Sequence, residues 1–134
     1  MGLILDTSAL ITLERSGPGP DRVSLDPEET YALPAIVWAE ALVGVRLAAD
    51  SSRAARRLAR LEAIRRITGI ETFSDVTAEH YGDIFSELCR NGTLIPQNDI
   101  AVAATARQLD FGVLVGSQDE AHFRKVSGLT VRVL

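Results

Sequence analysis

Cysteine, lysine and histidine are scarce in this chain, and each scarcity closes off a class of chemistry. The single cysteine, Cys89, rules out an intrachain disulfide and fits a reducing compartment. It falls within a helical pattern and reads as a buried or half-buried structural thiol rather than a nucleophile. The only lysine is Lys125, so no lysine is available in the middle of the chain. Of the two histidines, His80 has no second histidine or cysteine at ligand spacing and reads as a surface residue. His122 precedes Phe123, a core anchor by its pattern, and reads as incidental. No apolar run reaches the ~18 residues of a bilayer span. Met1-Gly2-Leu3 leads straight into an apolar strand without a basic leader, so a cytoplasmic chain with no membrane contact is expected. Neither GxGxxG nor GxxxxGK[ST] occurs, and no serine, histidine and acid arrangement offers itself for acyl transfer.

What the chain has in quantity is apolar surface and acid. Apolar residues make up 46 % of 134 residues, enough for one domain over 1–134 with a core of its own. The net charge of −4 argues against generic polyanion binding, and direct DNA binding by this chain is not expected. Between Arg53 and Arg66 six arginines meet one acid, Glu62, a local balance of +5 that leaves −9 elsewhere. Arg53, Arg56, Arg57 and Arg60 follow the i, i+3, i+4, i+7 spacing of one helix face. Such a stripe is either a solvated surface or a contact for phosphate or a partner.

The stretch Leu3-Ile4-Leu5-Asp6-Thr7-Ser8 organises the rest. Three branched apolar residues read as a strand buried on both faces, and the run stops at a carboxylate. Thr7 and Ser8 are candidate caps for a helix over 9–14. Ser16-Gly17-Pro18-Gly19-Pro20 reads as a loop, followed by a candidate short helix within 21–29. A strand over 30–33 precedes a helix from Pro34 to about Ala49. From Ala32 to Val45 that segment carries one formal charge, Glu40, so the helix is expected to be buried. A buried glutamate needs a cation, a metal or a proton.

Asp50-Ser51-Ser52 caps the arginine helix, which Gly69 ends; a strand over 70–73 and a helix from Asp75 or Thr77 to Asn91 follow. Asp99 then stands in the first turn of a small-residue, apolar helix, where the dipole favours an anion. Val113-Leu114-Val115 is a second buried strand whose carboxyl end delivers an acid, Asp119, ahead of a short helix to Val126; a strand over 129–133 closes the chain. Strands alternating with helices imply a three-layer α/β/α sandwich around a parallel sheet of about five strands.

Four acids, Asp6, Glu40, Asp99 and Asp119, thus fall at places able to converge. Clustered carboxylates stay ionised only beside a cation, and hard oxygen donors suit Mg2+ or Mn2+. Such a metal can activate water against a phosphodiester. The segments Leu5-Asp6-Thr7-Ser8, Glu40 in its apolar helix, Asp99-Ile100-Ala101-Val102-Ala103 and Ser117-Gln118-Asp119-Glu120-Ala121-His122-Phe123 resemble those of PIN-domain ribonucleases. Length and layout look most like VapC toxins of bacterial toxin–antitoxin pairs.

That resemblance implies catalytic acids at Asp6, Glu40, Asp99 and Asp119. Asp6, Asp99 and Asp119 would be metal ligands, and Ser117 a hydroxyl that positions water, metal or RNA. Glu120 competes with Asp119 for the fourth place. The resemblance further implies an RNA substrate, a homodimer and a VapB antitoxin inserted at the acidic groove. A PIN nuclease of RNA processing and a PIN-like RNA-binding module are the alternatives. A haloacid-dehalogenase-type phosphatase would want a second aspartate where Ser8 stands, and a phosphoacceptor receiver domain a lysine further from its acids than Lys125.

Overall fold

A computed structural model describes residues 1–16 and 24–134. The loop read at 16–20 therefore lies, beyond Ser16, outside the described residues. Of the segment 21–29, residues 24–29 carry no helix and form a turn at Asp26, with the Glu29 amide donating to the Asp26 carbonyl.

The apolar runs form the strands. β1 is Leu3–Leu5 and β4 is Gly112–Val115, both buried at every residue, as strands covered on two faces must be. β2 (Tyr31–Pro34), β3 (Ile70–Glu71) and β5 (Val131–Val133) complete a five-stranded sheet ordered β3-β2-β1-β4-β5. Every pairing is parallel, with Ile4 opposite Ala32 on one side and Val113 on the other.

The chain steps outward from β1 through β2 to β3, then crosses back to β4 and β5. With right-handed crossovers, helices made on the outward path lie on one face and those made on the return on the other. The helices obey this. α1 (Thr7–Ser16) packs on α2 (Ala35–Arg46) and α3 (Ser51–Thr68), and α5 (Gln97–Leu109) packs on α4 (Asp75–Arg90) and α6 (Glu120–Phe123), while α2 also reaches α5, where Asn98 meets Glu40. The result is the expected α/β/α sandwich. Its topological switch point falls between the carboxyl ends of β1 and β4, the crevice where open α/β sheets bind ligands.

Several local expectations are corrected. Helix α1 begins at Thr7, so Asp6, not Thr7 or Ser8, is its cap: the Ala9 amide donates to Asp6 Oδ1 at 2.8 Å. Pro34 both ends β2 and is the N-cap of α2, which begins one residue later than expected, at Ala35, because the extended ψ of 142° at Pro34 continues the strand. The α4 cap is Ser74, which forms a capping box with Thr77. Cys89 is exposed on the outer side of α4.

Helix α2 is not buried all round. Val37, Trp38 and Val45 enter the core, but Ala39 is exposed, Val43 is 55 % exposed and Leu47 just beyond the helix is 79 % exposed. An apolar composition shows that a helix has hydrophobic surface on every side; which sides this chain itself covers is set by its neighbours.

Candidate active site at the carboxyl edge of the sheet

Asp6 is the focus of the edge. It is 1 % exposed, and its carboxylate is held from two directions. The Ala9 amide donates to Oδ1, and the Ser8 hydroxyl lies 2.9 Å from Oδ1 and 2.8 Å from Oδ2. Ser8 is fixed in turn by the Gly116 amide, which donates to its Oγ at 2.8 Å. Burial pushes the Asp6 carboxyl up to about 6, and repulsion from Asp119 and Asp99 adds to it; the hydrogen bonds from Ala9 and Ser8 pull the other way and do not prevail.

Asp99 sits in the first turn of α5, whose N-terminal dipole favours its charge. Burial nonetheless raises its pKa, Asp119 adds repulsion, and the hydrogen bond from His122 opposes both. His122 Nδ1 is 2.7 Å from Asp99 Oδ2 and 3.9 Å from Asp119 Oδ1. One donor atom from each of Asp99, Asp119 and His122 lies within 4.8 Å of the other two. Reading His122 as incidental is therefore corrected. A signal was present in the sequence: Asp119 and His122 are three apart, the spacing that brings side chains together on one turn.

Glu120 points away, its carboxylate 2.8 Å from the Arg124 guanidinium on an exposed surface. Asp119, not Glu120, is thus the acid of this segment that faces Asp6 and Asp99. Glu40 is not part of this cluster. It is half-buried and takes a hydrogen bond at Oε1 from Asn98 Nδ2 at 3.1 Å, a neutral amide next to Asp99 in sequence. Ser117 is exposed and lines a groove with Thr7, Ser8, Thr12, Arg15, Gln118 and Asp119.

The arginine stripe borders a second groove, shared by Glu14, Arg15, Arg53, Arg56, Arg57 and Arg60. Its members have separate tasks. Arg57 Nε donates at 2.7 Å to Glu14, which is only 5 % exposed, and this pairing raises the guanidinium pKa still further. Arg56 reaches back to Ser52 Oγ at 3.0 Å. Arg15 lines both grooves, so the acidic edge and the arginine surface meet along α1.

The family model of the PIN domain matches residues 3–129. The chain belongs to the PIN-domain family. It is similar to Ribonuclease VapC1 of Rickettsia felis, with 30 % identity over 131 residues, covering 98 % of this chain and 95 % of that protein. Its backbone is similar to that in the crystal structure of VapBC2 from Rickettsia felis bound to a promoter DNA fragment. There the TM-score is 0.81 with 20 % identity, over 100 % of this chain and 99 % of the other, a likeness of fold. A member of the VapBC family of toxin–antitoxin systems from Mycobacterium tuberculosis, VapBC-5, matches with TM-score 0.75 and 26 % identity over 99 % and 97 % of the two chains.

A divalent cation fits this PIN-domain edge on the chemistry of its donors. Asp99 and Asp119 lie with His122 in one cluster of donor atoms; Asp6 is outside that cluster but near enough for both acids to repel it, and Asp6 and Asp99 are held above their ordinary pKa chiefly by burial. A positive charge among them removes the repulsion and favours ionisation of all three acids. Among the described residues no helix is long and apolar enough to cross a membrane.

Proposed function

We propose that this chain is a metal-dependent endoribonuclease acting as the toxin of a VapBC-type toxin–antitoxin pair, a single PIN domain over residues 1–134 working in the cytoplasm. The observation that carries the reading is the convergence of Asp6, Asp99 and Asp119 at the switch point, with the buried Asp6 pushed up to about 6. The name of the 30 % identical Rickettsia ribonuclease supports the activity, and the toxin–antitoxin description of the Mycobacterium structure supports the partner.

In this reading Asp6, Asp99 and Asp119 hold Mg2+, with Mn2+ as its substitute. When bound, such an ion neutralises phosphodiester charge and makes a coordinated water acidic. The chain supplies the positioning. Ser8 and the Ala9 amide fix the direction of the Asp6 carboxylate. Asn98 holds Glu40 Oε1, which leaves Oε2 to accept a proton from the attacking water. Ser117 offers an exposed hydroxyl at the rim for a phosphate or a water. Arg15, Arg53, Arg56 and Arg60, with Arg57 held in place by Glu14, give the RNA a positive path to an edge that otherwise repels it.

The same edge suits an inhibitor. An apolar groove lined by Ala35, Ile36, Ala39, Phe73, Tyr81 and Ala101 runs beside Asn98, the partner of Glu40. Val43 on the same helix and Leu47 just past its end extend the apolar surface. A VapB-type antitoxin segment would lie on this surface and place an arginine among the acids, where bidentate geometry replaces the cation. Homodimerisation belongs to the same reading.

The test is cleavage of single-stranded RNA by purified protein with Mg2+ or Mn2+. Activity should vanish in EDTA and fall at least ~100-fold in Asp99→Asn, the scale expected when metal-assisted catalysis is lost. Expression alone should arrest growth, and co-expression of a cognate VapB-type antitoxin should relieve it. Activity that survives chelation overturns the mechanism; activity without growth arrest transfers the chain to RNA processing.

A further inference from the structure

The catalytic reading leaves His122 without a task. Its ring is two-thirds covered, and it is carried on a single-turn helix whose next residue, Phe123, is fully buried. That anchor aims the imidazole at the acids. Nδ1 reaches Asp99 Oδ2 at 2.7 Å and stands 3.9 Å from Asp119 Oδ1. Donors bound to one cation at about 2.0–2.2 Å lie roughly 3 to 4.3 Å apart, so these three need only small rotations to share an ion.

We propose that His122 is itself a ligand of the metal ion, supplying a nitrogen donor through Nδ1, and that this tilts the site toward Mn2+ over Mg2+. The inference rests on the metal-site reading of Asp6, Asp99 and Asp119. Mg2+ favours oxygen donors and retains its waters, whereas imidazole suits the transition metals. In the metal-free edge Nδ1 donates to Asp99; ligation puts the ring in its Nε2–H tautomer, the Nδ1 proton leaving to solvent, and so frees the Nδ1 lone pair for the ion. Nδ1 faces Asp99 and Asp119 together, the arrangement a shared ion needs.

The experiment uses metal-free protein and the metals alone. Pulsed EPR of the Mn2+-loaded wild type should show coupling to an imidazole 14N that disappears in His122→Ala. Calorimetric titration should show Mn2+ binding weakened at least ~10-fold in that variant, with Mg2+ changed by less than ~3-fold, the span over which metal-site substitutions act. Bound Mn2+ without 14N coupling, or equal weakening of both metals, overturns the ligand role and leaves His122 a residue that orients Asp99. Asp99→Asn separates the two readings: if it leaves Mn2+ binding intact, the acidic metal site itself fails. The EPR measurement on the wild type needs no variant to fold.

Discussion

The Gly116 amide donates to the Ser8 hydroxyl at 2.8 Å, joining the turn after β4 to the first turn of α1 across 108 residues of chain. Ser8 passes that restraint on to both oxygens of Asp6. The approach is so close that a Cβ on Gly116 would stand 3.0 Å from Ser8 Cβ and Oγ. Asp6 is thus aimed by a contact between two strands' ends, not by its own helix alone.

Ser8→Ala should destabilise by about 1–3 kcal/mol, because it strands the buried Gly116 amide and removes a donor from Asp6. Gly116→Ala should cost a similar amount, about 1–3 kcal/mol, through overpacking against Ser8. Urea unfolding at neutral pH reads both. Calorimetry should also show weaker metal binding in each, and unchanged affinity would mean Asp6 keeps its aim without Ser8.

The Asp6 carboxyl near 6 makes a pH signature. Between about pH 4 and 6 the folded protein keeps the proton that the unfolded chain has released, so the folded state binds more protons and stability falls as pH rises. Above the folded pKa the full penalty, about 3 kcal/mol, is present. Metal-free Asp6→Asn should therefore lose this fall and exceed the wild type above pH 6, while saturating Mg2+ or Mn2+ should close the gap. Urea unfolding at several pH values with EDTA checks it; equal slopes for both proteins would contradict the burial of a charged Asp6.

Arg57→Gln should behave as a folding variant. It leaves Glu14, 5 % exposed, without its hydrogen-bonded partner, at a cost of about 2–4 kcal/mol, discounted because Arg57 is itself 28 % exposed. Adding Glu14→Gln should recover much of that loss by removing the charge. Thermal unfolding of the two single variants and the double variant gives the coupling.

RNA binding is better probed away from Arg57. Replacing Arg15, Arg53 and Arg56 by Gln should lower the slope of log affinity against log salt by ~2, about 0.7 for each phosphate no longer neutralised. Binding to catalytically silent Asp99→Asn protein, measured across salt concentrations, provides the comparison. An unaltered slope would return the stripe to a solvated surface.

Val43→Glu with Leu47→Glu changes side chains that the fold leaves exposed. Stability and RNA cleavage should change little, and capture of the antitoxin in co-purification should fail. Retained capture would move the partner to another face.

Much of this architecture was written in local pattern. Leu3-Ile4-Leu5 and Val113-Leu114-Val115 announced the two central strands because only residues buried on both faces can be apolar without interruption. Asp6 and Asp119 stood out as acids where those runs stop, and Asp99 as the acid opening an apolar helix. The parallel sheet and its two helical layers followed from alternation and crossover handedness. Helix α2 was less legible, since its composition does not distinguish a face covered by this chain from one left open, as at Val43.

The sequence by itself determined the strands, the acids that end them and the helix that carries the arginines, because these depend on burial and periodicity along a few consecutive residues. Only the tertiary structure decided the pairings. Arg57 met Glu14, the Gly116 amide met Ser8, and His122 turned onto Asp99. Each of these joins residues from 23 to 108 positions apart, and the partners of a side chain at such separations are chosen by how packed elements cross, which no local pattern encodes.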